Sequence, residues 1–145
     1  MSAVENRGLF FLDTNIFVYS FDPLQAQKQG RAQELIHEAL QSQRGLISTQ
    51  VIQEFLNLGL RKFRRPLSTV EARTYLHAVL LPLCSHFPSA AFYERAIVLQ
   101  AETGYSWYDA LIVAAALELG CSTLFSEDLQ DGRVIRGMTI RNPFG

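Results

Sequence analysis

Short apolar runs alternate with longer helical stripes along most of this chain, and that alternation restricts the architectures open to it. Leu9 to Leu12 is an unbroken apolar run bounded by polar residues, the pattern of a strand covered on both faces. Gly45 to Ser48 and Thr123 to Phe125 read the same way, Leu83 to Phe87 predicts a short extended piece, and Met138 to Ile140 a final edge strand. Between them the stripe Ala32, Leu35, Ile36, Ala39 and Leu40 predicts a helix over 25–43. A second stripe, Val51, Ile52, Phe55, Leu56 and Gly59, predicts one over 49–63. Ser68-Thr69-Val70-Glu71 is a capping-box pattern that should open a helix over 68–80, stopped before Pro82. Two more helices are predicted over 90–102 and 106–119, each closed or followed by glycine. Such an order gives an α/β layered domain with a mostly parallel sheet.

The 145 residues fit a single domain over 1–145, long enough to bury a core without disulfides or a structural metal. Cys84 and Cys121 lack metal-ligand spacing and read as free thiols. The longest apolar run, Ala110 to Leu117, falls far short of the ~20 residues of a membrane span. The opening MSAVENRGLFFL is too weak for a signal peptide, so a cytoplasmic protein without membrane attachment is expected. A net charge of −1 argues against nucleic-acid binding through overall positive charge, and leaves room for a local basic patch.

Four carboxylates stand in separate apolar settings: Asp13 in FFLDTN, Glu54 in VIQEFLNL, Asp109 in YSWYDALIVAAA and Asp128 in TLFSEDLQDG. Gathered acids raise one another's proton affinity, so a chain that collects them usually supplies a cation, and the hard cations Mg²⁺ or Mn²⁺ suit carboxylate oxygens. Each acid also has a plainer reading. Asp13 follows a strand and can cap a helix beginning near Ile16, although Asn15 is equally able to cap. Glu54 sits at the border of an apolar stripe and, taken alone, is a surface glutamate. Asp109 lies three residues after Ser106, a capping arrangement compatible with metal binding through its other oxygen. Asp128 is chosen from an acidic turn in which Glu127 and Asp131 are alternatives. Asp13 and Asp128 both follow strands, and in parallel sheets ligands bind beyond the carboxyl ends of the strands.

On these residues the chain resembles the PIN-domain ribonucleases, especially the VapC-like toxins of bacterial toxin–antitoxin pairs. The marks are Leu12-Asp13-Thr14-Asn15, Gln53-Glu54-Phe55, Trp107-Tyr108-Asp109-Ala110-Leu111-Ile112 and Leu124-Phe125-Ser126-Glu127-Asp128, in family order across nearly the whole sequence. The resemblance implies a three-layer α/β/α fold and metal-assisted hydrolysis of RNA phosphodiester bonds. It implies that Asp13, Glu54, Asp109 and Asp128 are the catalytic acids that hold Mg²⁺ or Mn²⁺. Asp13, Asp109 and Asp128 are taken as the nearer ligands, with Glu54 holding a second ion or orienting water. Thr14, Asn15 and Ser126 complete the family motifs as substrate-side residues. The resemblance also implies a homodimer and a small antitoxin partner. The pair Glu127-Asp128 followed by Asp131 departs from the pattern.

Arg61-Lys62-Phe63-Arg64-Arg65 ends the helix carrying Glu54, so Arg64 and Arg65 are candidate RNA phosphate contacts, or simply cations facing water at a helix end. His37, His77 and His86 have no mutual ligand spacing and read as structural or exposed, while Tyr105, Trp107 and Tyr108 read as packing residues able to stack on bases. A haloacid-dehalogenase-like phosphatase would need a second Asp where this chain has Asn15. A receiver-like domain would also gather acids at strand ends, but the late helix acid and the absence of a matching lysine in this chain speak against it. A PIN-like module that binds RNA or protein without cutting remains the main alternative.

Overall fold

The computed structural model describes residues 8–145. Met1 to Arg7, part of the stretch read as too weak for a signal peptide, lie outside them. Strand β1 (Phe10–Leu12) is buried throughout and runs into α1 (Thr14–Tyr19). Then follow α2 (Ala26–Ser42), β2 (Gly45–Ser48) and α3 (Thr49–Arg61). Next come α4 (Thr69–Tyr75), a π-helical segment (Leu76–Leu80), α5 (Leu81–Leu83) and β3 (Cys84–His86). The chain closes with α6 (Ala90–Thr103), α7 (Trp107–Glu118), β4 (Thr123–Phe125), β5 (Val134–Ile135) and β6 (Met138–Arg141).

Among the described residues the sheet has six strands in the order β3-β2-β1-β4-β6-β5, parallel except for β5, with helices on both sides. β1 lies at its centre, paired with β2 (Phe11↔Leu46) and with β4 (Phe11↔Leu124, Leu12↔Phe125). The chain leaves β1 toward β2 and β3 and comes back on the far side as β4. A crevice therefore opens between the carboxyl ends of β1 and β4, where crossovers diverge. Helix α7 is buried from Ala110 to Ala116, as an all-round apolar helix must be.

A knot of rings ties α1, α3 and α4 together: Phe21 packs on Phe55 (5.7 Å), Phe63 (5.8 Å) and Tyr75 (5.0 Å), and Phe55 packs on Tyr75 (5.2 Å). Phe55 is wholly buried there, which fixes the rotation of α3 about its axis and with it the direction of Glu54. No helix among the described residues is long and apolar enough to cross a membrane.

Two expectations needed correction. The helix opened by the Ser68–Glu71 capping box does not stop before Pro82; it widens into the π-helical segment and continues through α5 with Pro82 inside. The wider turn accommodates a proline ring that would otherwise meet the preceding turn, and burial of Leu80 and Leu83 favours continuing. Met138–Arg141 is also not an edge strand, because β5 folds back on it in antiparallel pairing (Ile135↔Met138). The connecting residues Arg136 (φ 49) and Gly137 (φ 86) both take left-handed conformations, the requirement of a two-residue hairpin turn.

Close approach of α2 to the sheet leaves no room at Gly45, where a Cβ would overlap that of Ala39 and come within 2.9 Å of the Phe10 ring. Gly45→Ala should cost about 1–3 kcal/mol in urea unfolding through overpacking. Gly30→Ala, at an exposed α2 position with nothing within 4 Å of the added carbon, should instead stabilise the protein by about 0.5–1 kcal/mol.

Candidate active site

Asp13 leaves β1 and becomes the N-cap of α1, with extended backbone (φ −71°, ψ 163°). One carboxylate oxygen accepts from the Thr14 amide at 2.7 Å and the other from the Ser126 hydroxyl at 2.7 Å. Capping and a site role thus coincide in one residue. Only 7% of Asp13 is exposed. Burial pushes its carboxyl up to about 6, although both hydrogen bonds pull the other way, and the charges of Glu54 and Asp128 add to the rise.

The remaining acids arrive from different elements. Glu54, on α3, accepts from the Thr14 hydroxyl at 2.7 Å through Oε1 and from the Gln50 side-chain amide at 3.2 Å through Oε2. Asp109 lies in the first turn of α7, where its amide donates to the Ser106 hydroxyl cap at 3.3 Å. Its carboxylate meets no hydrogen-bond donor among the described residues. Asp128, beyond β4, accepts from the Asn15 side-chain amide at 3.1 Å, and its own amide donates to the Ser126 hydroxyl at 3.2 Å.

Asp13, Thr14, Asn15, Glu54, Asp109, Glu127 and Asp128 all line one cavity of about 500 Å³, completed by Val18, Tyr19, Asn57, Leu58 and Ile112. Five acids and no basic side chain face it among the described residues. Asp131 is elsewhere, accepting from the Asn142 amide at 2.9 Å. Glu127 has its charge answered by the protein: the Lys28 ammonium donates to it at 2.7 Å and the Tyr19 hydroxyl at 2.6 Å. Burial raises the Glu127 carboxyl, and these two donors outweigh it, leaving the group below the ordinary glutamate range.

Asp13, Glu54 and Asp128 are held by neutral donors, which orient a carboxylate without cancelling its charge. No three His, Cys, Asp or Glu side chains among the described residues stand close enough to form a ready-made metal cage. The donor set nevertheless fits a hard divalent cation, since only oxygen ligands face the cavity and nothing basic would compete with it.

Ser126 is wholly buried behind Asp13, so it orients that acid from within and has no face open to a substrate. Thr14 is also buried, bonded to Glu54, while Asn15 is at the cavity wall between Asp128 and the Glu127 amide (3.5 Å). Arg64 and Arg65 are exposed in the turn after α3 and do not line the cavity. His86 is buried against Phe92 and bonded to Glu118 at 2.6 Å, and does not line the cavity, while His37 and His77 are exposed. Tyr108 departs from the packing reading, being 66% exposed beside Asp109.

Gln50, Lys28 and Tyr19 were not singled out in the sequence. Gln50 carried a usable signal, since it precedes Glu54 by four residues and shares its helix face. The contacts of Glu127 with Lys28 and Tyr19 span 99 and 108 residues, and nothing local marks them.

The PIN domain family model matches residues 10–134. Similar solved structures include a toxin–antitoxin complex from Klebsiella pneumoniae, at 22% identity and a TM-score of 0.64, with 92% of this chain and 97% of the other covered. VapBC2 from Rickettsia felis, bound to a DNA fragment from its promoter, is similar at 20% identity and a TM-score of 0.57, covering 92% and 98%. The sarcin–ricin loop cleaving toxin VapC20 of Mycobacterium tuberculosis is similar at 21% identity and a TM-score of 0.56, covering 82% and 91%. No curated protein sequence matches the chain. At these identities the structural likeness establishes the fold.

Because the proton affinity of Asp13 is higher in the folded than in the unfolded chain, the native state holds the extra proton between the ordinary value of 3.8 and about 6. Stability from this group is greatest below that window and declines as pH rises through it, by about 3 kcal/mol in all. With chelator present, Asp13→Asn should therefore be more stable than wild type at pH 7.5, and the gain should shrink toward pH 4. Urea unfolding across that range checks it; a variant less stable throughout would remove burial as the dominant influence.

Proposed function

The chain belongs to the PIN-domain family, and we propose that it is a metal-dependent endoribonuclease, a VapC-like toxin that hydrolyses RNA phosphodiester bonds. PIN-domain toxins are generally nucleases, and their nucleases generally use divalent metal ions. One observation supports extending this to the present chain: one cavity at the sheet's switch point collects five acids and, among the described residues, no basic side chain.

Asp13, Glu54, Asp109 and Asp128 are the proposed ligands for Mg²⁺ or Mn²⁺. Bound there, the ion supplies positive charge that activates water and neutralises the phosphate under attack. The chain's own residues do the positioning. Ser126 and the Thr14 amide hold Asp13, Thr14 and Gln50 hold Glu54, and Asn15 holds Asp128. Asp109, without a donor of its own, is the acid most free to turn toward a ligand. Glu127 is assigned to Lys28 and left out of the ligand set.

Unpaired RNA suits this surface, because the exposed Tyr108 ring beside Asp109 offers a base a face on which to stack. Arg64 and Arg65 remain proposed phosphate contacts away from the cavity. Since toxin–antitoxin assemblies are among the similar structures, we extend to this chain a protein antitoxin as partner, and on the family resemblance alone we add a homodimeric state and a cytoplasmic site of action.

Cleavage of single-stranded RNA should require Mg²⁺ or Mn²⁺, stop with EDTA, and fall in Asp13→Asn by more than the roughly 100-fold that losing an outer-shell partner can cost. Binding without cleavage under all these conditions would favour the module reading, and turnover of a small phosphomonoester alone the phosphatase. Replacing Arg64 and Arg65 together by alanine should weaken RNA binding and reduce the slope of log affinity against log salt by about 1.4. An unchanged slope would remove those two residues from the RNA-binding surface.

A further inference from the structure

One side chain joins the two helices that carry Glu54 and Asp109. The Gln50 amide nitrogen, in the first turn of α3, donates to Glu54 Oε2 at 3.2 Å and to the Tyr108 carbonyl oxygen at 3.1 Å. A carboxylate and a carbonyl can only accept, so the amide has one workable orientation, with its two protons toward them. The first bond stays within α3, whereas the second crosses 58 residues to the first turn of α7, one position before Asp109. Oε1 of Glu54 is meanwhile held by Thr14, the neighbour of Asp13. Glu54 is thus registered on one side to the β1 acid and on the other to the α7 acid.

We infer that Gln50 is a positioning residue of this site: it aims the Glu54 carboxylate and sets its spacing from Asp109, so that acids from two helices can meet one ligand together. This rests on the metal-dependent nuclease reading of the same cavity. Helix packing does not need the bridge. Val51 and Phe55 anchor α3 in the core, Ala110 to Ala116 anchor α7, and Gln50 itself is only half-buried. Removing its amide leaves two acceptors at the cavity rim, where water can reach them. The consequence falls on the direction of Glu54, and an outer partner of that kind typically changes metal affinity or activity by roughly 10- to 100-fold.

Gln50→Met keeps the length of the side chain and deletes both donors. Mn²⁺ binding by calorimetry, steady-state RNA cleavage and urea unfolding are compared between this variant and wild type. Mn²⁺ affinity and kcat should fall roughly 10- to 100-fold, with KM for RNA and the unfolding midpoint unchanged. Unchanged Mn²⁺ affinity and kcat, beside a wild type that cuts RNA, would overturn the positioning role and leave the nuclease reading intact. A loss of affinity matched by a lowered unfolding midpoint would also overturn it, making Gln50 a structural strut. A wild type that neither binds Mn²⁺ nor cuts RNA would end both readings.

Discussion

A carboxylate forced out of water at the mouth of the central strand governs the rest of this site. Asp13 is buried because β1 and β4 pair to their last residues, Leu12 against Phe125, and both chains turn away at the same level. That register also sets Ser126 beside Asp13, since each is the first residue past its strand. The Asp13 amide donates to the Phe125 carbonyl at 3.0 Å, and the Ser126 hydroxyl completes the contact from the other strand. The sheet therefore delivers the acid and its orienting partner together, and no loop has to be disciplined separately to bring them into contact.

Holding anions with neutral donors has a different consequence from holding them with cations. An amide or hydroxyl fixes direction and leaves the charge in place, while a lysine cancels it. Asp13, Glu54 and Asp128 are treated in the first way, Glu127 in the second. The cavity keeps an excess of negative charge that the folded chain must tolerate, an arrangement that lowers stability and that is expected where function opposes it. The ring cluster around Phe21 and Phe55 and the buried α7 anchor helices that carry the acids without using any acid side chain.

Much of the frame could be read from local pattern. The runs at 9–12, 45–48 and 123–125 became β1, β2 and β4, and the stripes over 25–43 and 49–63 became α2 and α3, because burial on one face or two leaves a period in the sequence. The π-helical segment was not legible, since the conflict between Pro82 and a continuing helix is resolved by tertiary burial of Leu80 and Leu83. Nor was β5, whose two residues are too few to show a period and whose turn uses Arg136 where Asn or Asp is the usual signal. At the site, the motifs named acids but not their neighbours. Ser126 passed for a substrate-side residue because a buried hydroxyl and an exposed one look alike in sequence.

The adjacent acids Glu127 and Asp128 show why composition alone could not divide the roles. Both line the cavity and both follow β4, so spacing cannot separate them. What separates them is reach and company. The longer side chain extends to α2, where Lys28 stands 4.7 Å from the centre of the Tyr19 ring, and the shorter one stays at the cavity wall against Asn15. Tyr19 donates to Glu127 while its ring supports the ammonium, so cation, ring and carboxylate stabilise one another as a unit. Holding Glu127 in this way pins the loop by its own first acid and answers that charge within the protein, while Asp128 lines the same cavity with its charge uncancelled. An acidic turn that would otherwise be free to present either residue is reduced to one choice by a lysine on a distant helix.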